Sequence, residues 1–229
     1  MKKLLFTLFL ALAATAANAQ VMRSSELEQY AKERYGEKWK EAAANLAAQL
    51  TLDKNLSLTY TEVIEAPGKS KEQLYIMMNY WYTSMFNDAN QVITLNDKEA
   101  GCIIASAYVA DIAEHAAGMN AYKVSIKPVI KTDIKEGKVR VTYTIQAYDV
   151  ERIVGGGITG ALLTTSKGPR PVSIEKWTLE TCYPFVEKDR HMKTSSKAIV
   201  MTHAYSNVIM DKIKEAIKNG IAGNEDEDW

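Results

Sequence analysis

The stretch QVITLNDKEAGCIIASAYV, Gln91 to Val109, is the part of the chain whose reading decides the fold. QVITL has the β-branched, apolar make-up of a strand, NDKEAG is a run of turn formers, and CIIASAYV alternates between two faces. In an extended strand Cys102, Ile104, Ser106 and Tyr108 share one side, and Ile103, Ala105, Ala107 and Val109 share the other. The second side is uniformly apolar and predicts the core face. Cys102 then sits at the first residue of the strand, on the less apolar side, where a small side chain needs no chemistry to explain it. Ala100-Gly101-Cys102 also spells the end of a lipobox, but a lipid-bearing cysteine belongs at a signal cleavage site, and Cys102 lies far downstream of one.

That cleavage site is at the other end of the chain. Lys2 and Lys3 precede an apolar run from Leu4 to Ala17, and Ala17-Asn18-Ala19 is a small-x-small sequence. The pattern predicts a signal peptide over 1–19, cut between Ala19 and Gln20. The apolar run is short of the ~20 residues that a spanning helix needs, and no later stretch is apolar enough to insert. The expected product is exported, periplasmic or secreted, not a lipoprotein, and not inserted in a membrane once the signal is removed. Loss of the two leader lysines turns a chain of 28 basic and 28 acidic residues slightly acidic. Such a chain has no broad basic footprint for nucleic acid or anionic lipid.

Either side of the opening hairpin the pattern continues. Residues 25–50 predict an N-terminal helix with Ser25 and Glu28 as its capping box. Leu27, Tyr30, Trp39, Ala43, Leu46 and Leu50 form its apolar stripe, and Gly36 is a break or bend. NLSLTYTEVIE, 55–65, alternates as a first strand. Ser70 with Gln73 caps a second helix, whose Leu74, Met77, Trp81 and Met85 fall on one face. DIAEHAAGMNA reads as a loop or short helical turn. Tyr122, Val124 and Ile126 make a fourth strand that Pro128 disturbs, as at an edge or bulge, and Val139 to Ala147 a fifth. GGGITGALLTTSKGPRP reads as a glycine- and proline-rich linker, and VSIEKW as irregular. A last helix from Ser195 turns Ala198, Met201, Tyr205, Val208, Ile209, Ile213 and Ala216 inward and stops at Gly220. The expected organisation is a signal at 1–19, a helical segment at 20–52, an α+β domain at 53–220 that includes the 150–172 linker, and an acidic disordered tail at 221–229.

Candidate chemistry is sparse. Gly155, Gly157 and Gly160 satisfy G-x-G-x-x-G, but a dinucleotide site needs a parallel strand before that turn and a helix after it; here a hairpin precedes. Asp53, Asn55 and Ser57 begin like a calcium loop. Leu58 stands where the loop needs glycine and Ile64 where it needs a bidentate glutamate, so Asp53 and Asn55 read as turn formers. His115, His191 and His203 have no partner at metal-ligand spacing. No cofactor or metal is implied. Cys102 and Cys182 form either two separate thiols or a disulfide; the bond, if made, would be worth about 4 kcal/mol in the chain-entropy model. Cys182 with His203 is the constellation an enzyme would need. Tyr80, Tyr82 and Phe86, in NYWYTSMF, are the rings a glycan binder would use.

The words VIEAPGKSKEQLY, the tryptophan at 81, VITLNDKEAGCI and GKVRVTY resemble an exported-protein family without assigned function, domain of unknown function 4468. Lys71, Leu74, Tyr75, Trp81, Asp97, Gly101 and Arg140 carry the likeness over residues 60 to 145, and the helix after TSSKA looks like the family's end. The resemblance implies a TATA-binding-protein-like fold: β-α-β-β-β-β-α, with an antiparallel five-stranded curved sheet and the helices on one face. It supplies no catalytic residues and implies no DNA binding. The expected function is a non-enzymatic envelope module that binds a protein or ligand on its exposed sheet face, with its partner and oligomeric state open.

Overall fold

A computed structural model describes residues 21–86, 92–163, 170–182 and 192–220. The leader with its Ala19–Gln20 junction, His191 and the 221–229 tail therefore lie outside the described residues. In chain order the elements are α1 (Ser24–Tyr35), α2 (Trp39–Ala47), β1 (Leu58–Glu65), α3 (Lys71–Met85), β2 (Ile93–Asp97), β3 (Cys102–Ser106), β4 (Val109–Ala117), β5 (Asn120–Ile126), β6 (Val129–Lys135), β7 (Lys138–Ile145), β8 (Ala147–Val154), α4 (Ile158–Leu163), β9 (Val172–Thr178), α5 (Leu179–Cys182) and α6 (Met192–Asn219).

The class is α+β, with an antiparallel five-stranded sheet ordered β1-β7-β6-β3-β2. Four further strands form a second antiparallel sheet, β4-β5-β8-β9. Three runs of chain cross from one sheet to the other: β3 to β4 through Ala107-Tyr108, β5 to β6 through Lys127-Pro128, and β7 to β8 through Gln146. The crossing strands keep the same neighbours on both sides of the step, so the two sheets are halves of one curved surface. Pro128 has no N–H for a ladder, and it stands at the step where none is required. It does not mark an edge, because β5 and β6 each have neighbours on both sides.

This geometry corrects several expectations. Tyr122–Ile126 is a strand of the second sheet, and the five-stranded sheet takes Val129–Lys135 in its place. DIAEHAAGMNA belongs to β4, its turn and the start of β5; VSIEKW lies in β9; and the first residues of the supposed 150–172 linker complete β8. The glycines that follow are clamped. Gly157 donates its N–H to the Met119 carbonyl at 3.1 Å, and Thr159 and Gly160 donate to the Gly118 carbonyl at 3.0 and 3.3 Å. The β4–β5 turn thus docks backbone to backbone on the segment after β8, at an approach that only residues without a Cβ permit.

The local readings hold where the pattern is local. Ile103, Ala105, Ala107 and Val109 are all buried, on the side the alternation assigned. Gly101 in the preceding turn has φ +67, and a Cβ there would lie 2.6 Å from the Ile134 carbonyl. Ser70 Oγ accepts the Gln73 N–H at 3.2 Å, and the Gln73 side chain accepts the Ser70 N–H at 2.8 Å. The N-terminal helix breaks at Gly36 into α1 and α2, but its cap is displaced: Glu26, not Glu28, accepts a backbone N–H, from Arg23 at 3.4 Å.

α6 packs against α1, α2 and α3 as well as β1, β4 and β5. Its predicted inward residues are buried apart from the half-buried Ala216, and so are Ile199, Val200 and Met210 on other sides. A helix with protein on several faces reads as broadly apolar and not as a single stripe. No helix among the described residues is long and apolar enough to cross a membrane.

Candidate functional site

A cleft of about 550 Å³ opens between the first turns of α1, the irregular part of β4, β5 and α6. β4 makes it. Its register to β5 slips between Val109 and Ala113, and Asp111 takes φ 49 there. The extra residues of such a bulge leave the ladder and re-aim their side chains. Ser24 Oγ donates to the Asp111 carbonyl at 3.3 Å, and the Asp111 N–H donates to Ser125 Oγ at 3.1 Å, which fixes the bulge between α1 and β5.

The charges in the cleft are paired with one another. Lys123 Nζ lies 2.8 Å from Asp111 and 3.4 Å from Glu114. Glu28, which does not cap α1, meets Lys197 at 2.7 Å and Lys32 at 2.8 Å. Lys197 also stands over the Trp39 ring, 5.5 Å from its centroid. Burial works to raise the Glu28 pKa, but the two lysines overcome it and hold the carboxyl below its ordinary value. The hydrogen bond that Lys123 donates to Asp111 holds its ammonium above its usual value, against a smaller burial effect. His115 lines the same cleft. Burial, then Lys193 and Lys197, push its pKa down, and its buried Nε2 has no hydrogen-bond partner among the described residues.

His203 lies elsewhere. Its Nδ1 is 3.1 Å from the Tyr60 hydroxyl, and its ring packs at 5.3 Å from Tyr35 and 5.4 Å from Tyr60. Burial, with Arg34 adding to it, lowers its pKa to about 4. Cys182 closes the short helix α5, and its side chain lies outside the described residues. Asp53 fills its own turn, accepting the Asn55 and Ser57 N–H groups at 2.8 and 3.1 Å.

Cys102 is a free thiol at the head of β3, opposite Asp133 on β6. Burial raises its pKa; Lys131 opposes this, and Asp133 and Asp97 add to it. A nucleophilic thiol needs the reverse. Alkylation of Cys102 in the folded protein at pH 7.5 is therefore expected to run several-fold slower than in urea, followed by mass spectrometry of its peptide. Equal or faster labelling of the folded protein would contradict the placement.

The aromatic trio separates. Tyr82 and Phe86 are buried, packed on Trp81 at 5.0 and 6.0 Å, so neither can stack on a sugar. Burial follows from the tight i, i+1 and i+5 grouping around Trp81, which faces the core. Tyr80 alone remains available, 49% exposed. What the sequence reading missed is the cleft itself. The irregular alternation from Val109 to His115 was its one local trace, and it looked like a loop.

A curved antiparallel sheet with its helices on one face is the TBP-like architecture, and that is the class of protein defined here. Residues 60–148 match the family model described as a domain of unknown function (DUF4468) with TBP-like fold. The matched segment runs from β1 to the start of β8, so α1, α2, β9 and α6 lie outside it. The chain is similar to a crystal structure of a TBP-like protein from Parabacteroides distasonis, with 12% identity and a TM-score of 0.49, over 74% of this chain and 97% of that one. It is also similar to a DUF4468 family protein from Bacteroides ovatus, with 13% identity and a TM-score of 0.43, over 77% of this chain and 93% of that one. No curated protein matches the chain.

Proposed function

We propose that the protein is an exported, non-enzymatic binding module of the cell envelope that holds its ligand or protein partner in the cleft between α1, β4, β5 and α6. The observation that carries this reading is the ion pairing in the cleft, Glu28 with Lys197 at 2.7 Å and Lys123 with Asp111 at 2.8 Å. Glu28 is held down and Lys123 is held up, each away from the neutral form it would need to exchange a proton near neutral pH. Groups so fixed recognise charge well and transfer protons poorly. Ile153 adds partly exposed apolar surface beside them, over the buried Ile112 and Met201, the usual make-up of a recognition site. The cleft is preferred to the open sheet face because it offers convergent groups of both signs on a backbone pinned by Ser24 and Ser125.

The test is a thermal-shift screen of the mature chain against charged peptides and small zwitterions, run beside an ester, peptide and glycoside turnover panel. The expected result is at least one compound that raises Tm in the parent protein and fails to do so in Lys123→Met, with no turnover. Turnover that disappears in Cys182→Ala or His203→Ala would overturn the proposal. Export is tested on natively produced protein, whose first residue is expected to be Gln20.

A further inference from the structure

A second site lies away from the cleft, in a groove of about 370 Å³ between the C-terminal half of α3 and the last turns of α6. We propose that this groove binds a neutral saccharide, with the half-exposed Tyr80 ring as the stacking platform and Ser84, Lys212, Glu215 and Asn219 as the hydroxyl-binding rim. The volume falls toward the lower end of the ~300–1,000 Å³ typical of ligand pockets, which suits one or two sugar rings and is small for a docked helix.

The lining chooses the ligand class. Trp81, Met77 and Ala216 give the groove an apolar floor, while Tyr80 keeps half its surface free beside them. A sugar ring presents a C–H face that packs on an aromatic plane and a girdle of hydroxyls that both donate and accept. The rim answers that girdle with a cation and an anion, Lys212 and Glu215, which form no ion pair among the described residues. Asn219 adds an amide with both roles. One charge of each sign gives no net preference for an anion or a cation, and free polar groups on the rim disfavour a purely apolar chain. Trp81 adds a deficit of its own: it is 2% exposed, and its indole N–H meets no acceptor among the described residues.

The groove shares no residue with the charged cleft, so this inference stands or falls apart from the proposed function. The experiment titrates the mature chain with maltose, cellobiose and chitobiose by calorimetry, with tryptophan fluorescence as a second signal. The expected result is saturable binding of at least one sugar, weakened tenfold or more in Tyr80→Ala and several-fold in Glu215→Gln. Lys123→Met should bind it unchanged. Tyr80 is partly exposed, so its variant is expected to fold, and a circular dichroism melt checks that. No binding of any of the three at millimolar concentration overturns the proposal. So does binding that Tyr80→Ala leaves intact, or a fatty acid that binds the same groove in place of the sugars.

Discussion

Acidification from pH 7 to pH 4 is expected to lower the unfolding free energy by about 2–3 kcal/mol through His203 alone, after allowance for the solvent that still reaches the ring. In the folded chain the imidazole lies against Tyr35 and Tyr60 with Arg34 as the nearby cation, and its pKa is lowered to about 4 from an ordinary 6.5. Below pH 6.5 the unfolded chain therefore takes up a proton that the folded chain refuses, and stability falls with pH until the native ring titrates as well. The full contribution is present above the unfolded value. Glu28 and Asp133, whose pKa values are lowered, and His115 also lose stability in acid. The measurement is therefore a difference. Urea unfolding of the parent and of His203→Gln at pH 7, 5.5 and 4 should give curves that converge by about 2 kcal/mol or more toward low pH. Parallel pH profiles would show that His203 is solvated or already charged, and would remove it from the interior.

The features legible in the sequence are those decided within one turn or one strand. The alternation at Ile103, Ala105, Ala107 and Val109, the Ser70–Gln73 cap and the break at Gly36 each depend on residues a few positions apart. The second sheet was not legible, because its strands are continuations of those in the first. Ile145 and Ala147 are separated only by Gln146, and nothing in a period-two pattern says which sheet a residue pairs into. The bulge at Asp111 breaks the period that would have announced β4. The cleft was hidden for a further reason. Its pairs join Glu28 to Lys197 and Asp111 to Lys123, and such partners become neighbours only once α6 lies across α1 and β4 folds back on β5. His203 was legible as a helix residue; its burial was not, because the covering came from Tyr35 and Tyr60 far upstream.

Gly157→Ala is expected to destabilise the fold by about 3 kcal/mol or more. The added Cβ would lie 2.6 Å from the Asn120 carbonyl oxygen and 2.7 Å from the Asn120 nitrogen, and closer still to the Gly118 carbonyl. All three are backbone atoms, so no side-chain rotation relieves the overlap. Movement would have to come from the β4–β5 turn, which is held by the Gly157, Thr159 and Gly160 N–H groups and by the pairing of Asn120 with Val154. Yielding there breaks hydrogen bonds; holding there compresses atoms, and either outcome is costly. The glycine content that reads as looseness is thus a requirement of tight packing. Thr159→Ala, an exposed position whose backbone hydrogen bond survives the change, is the matched control and is expected to cost less than about 0.5 kcal/mol. Urea unfolding of the two variants separates the cases. A Gly157→Ala cost as small as that of Thr159→Ala would mean that the segment after β8 is free to move, which is the linker that the composition alone describes.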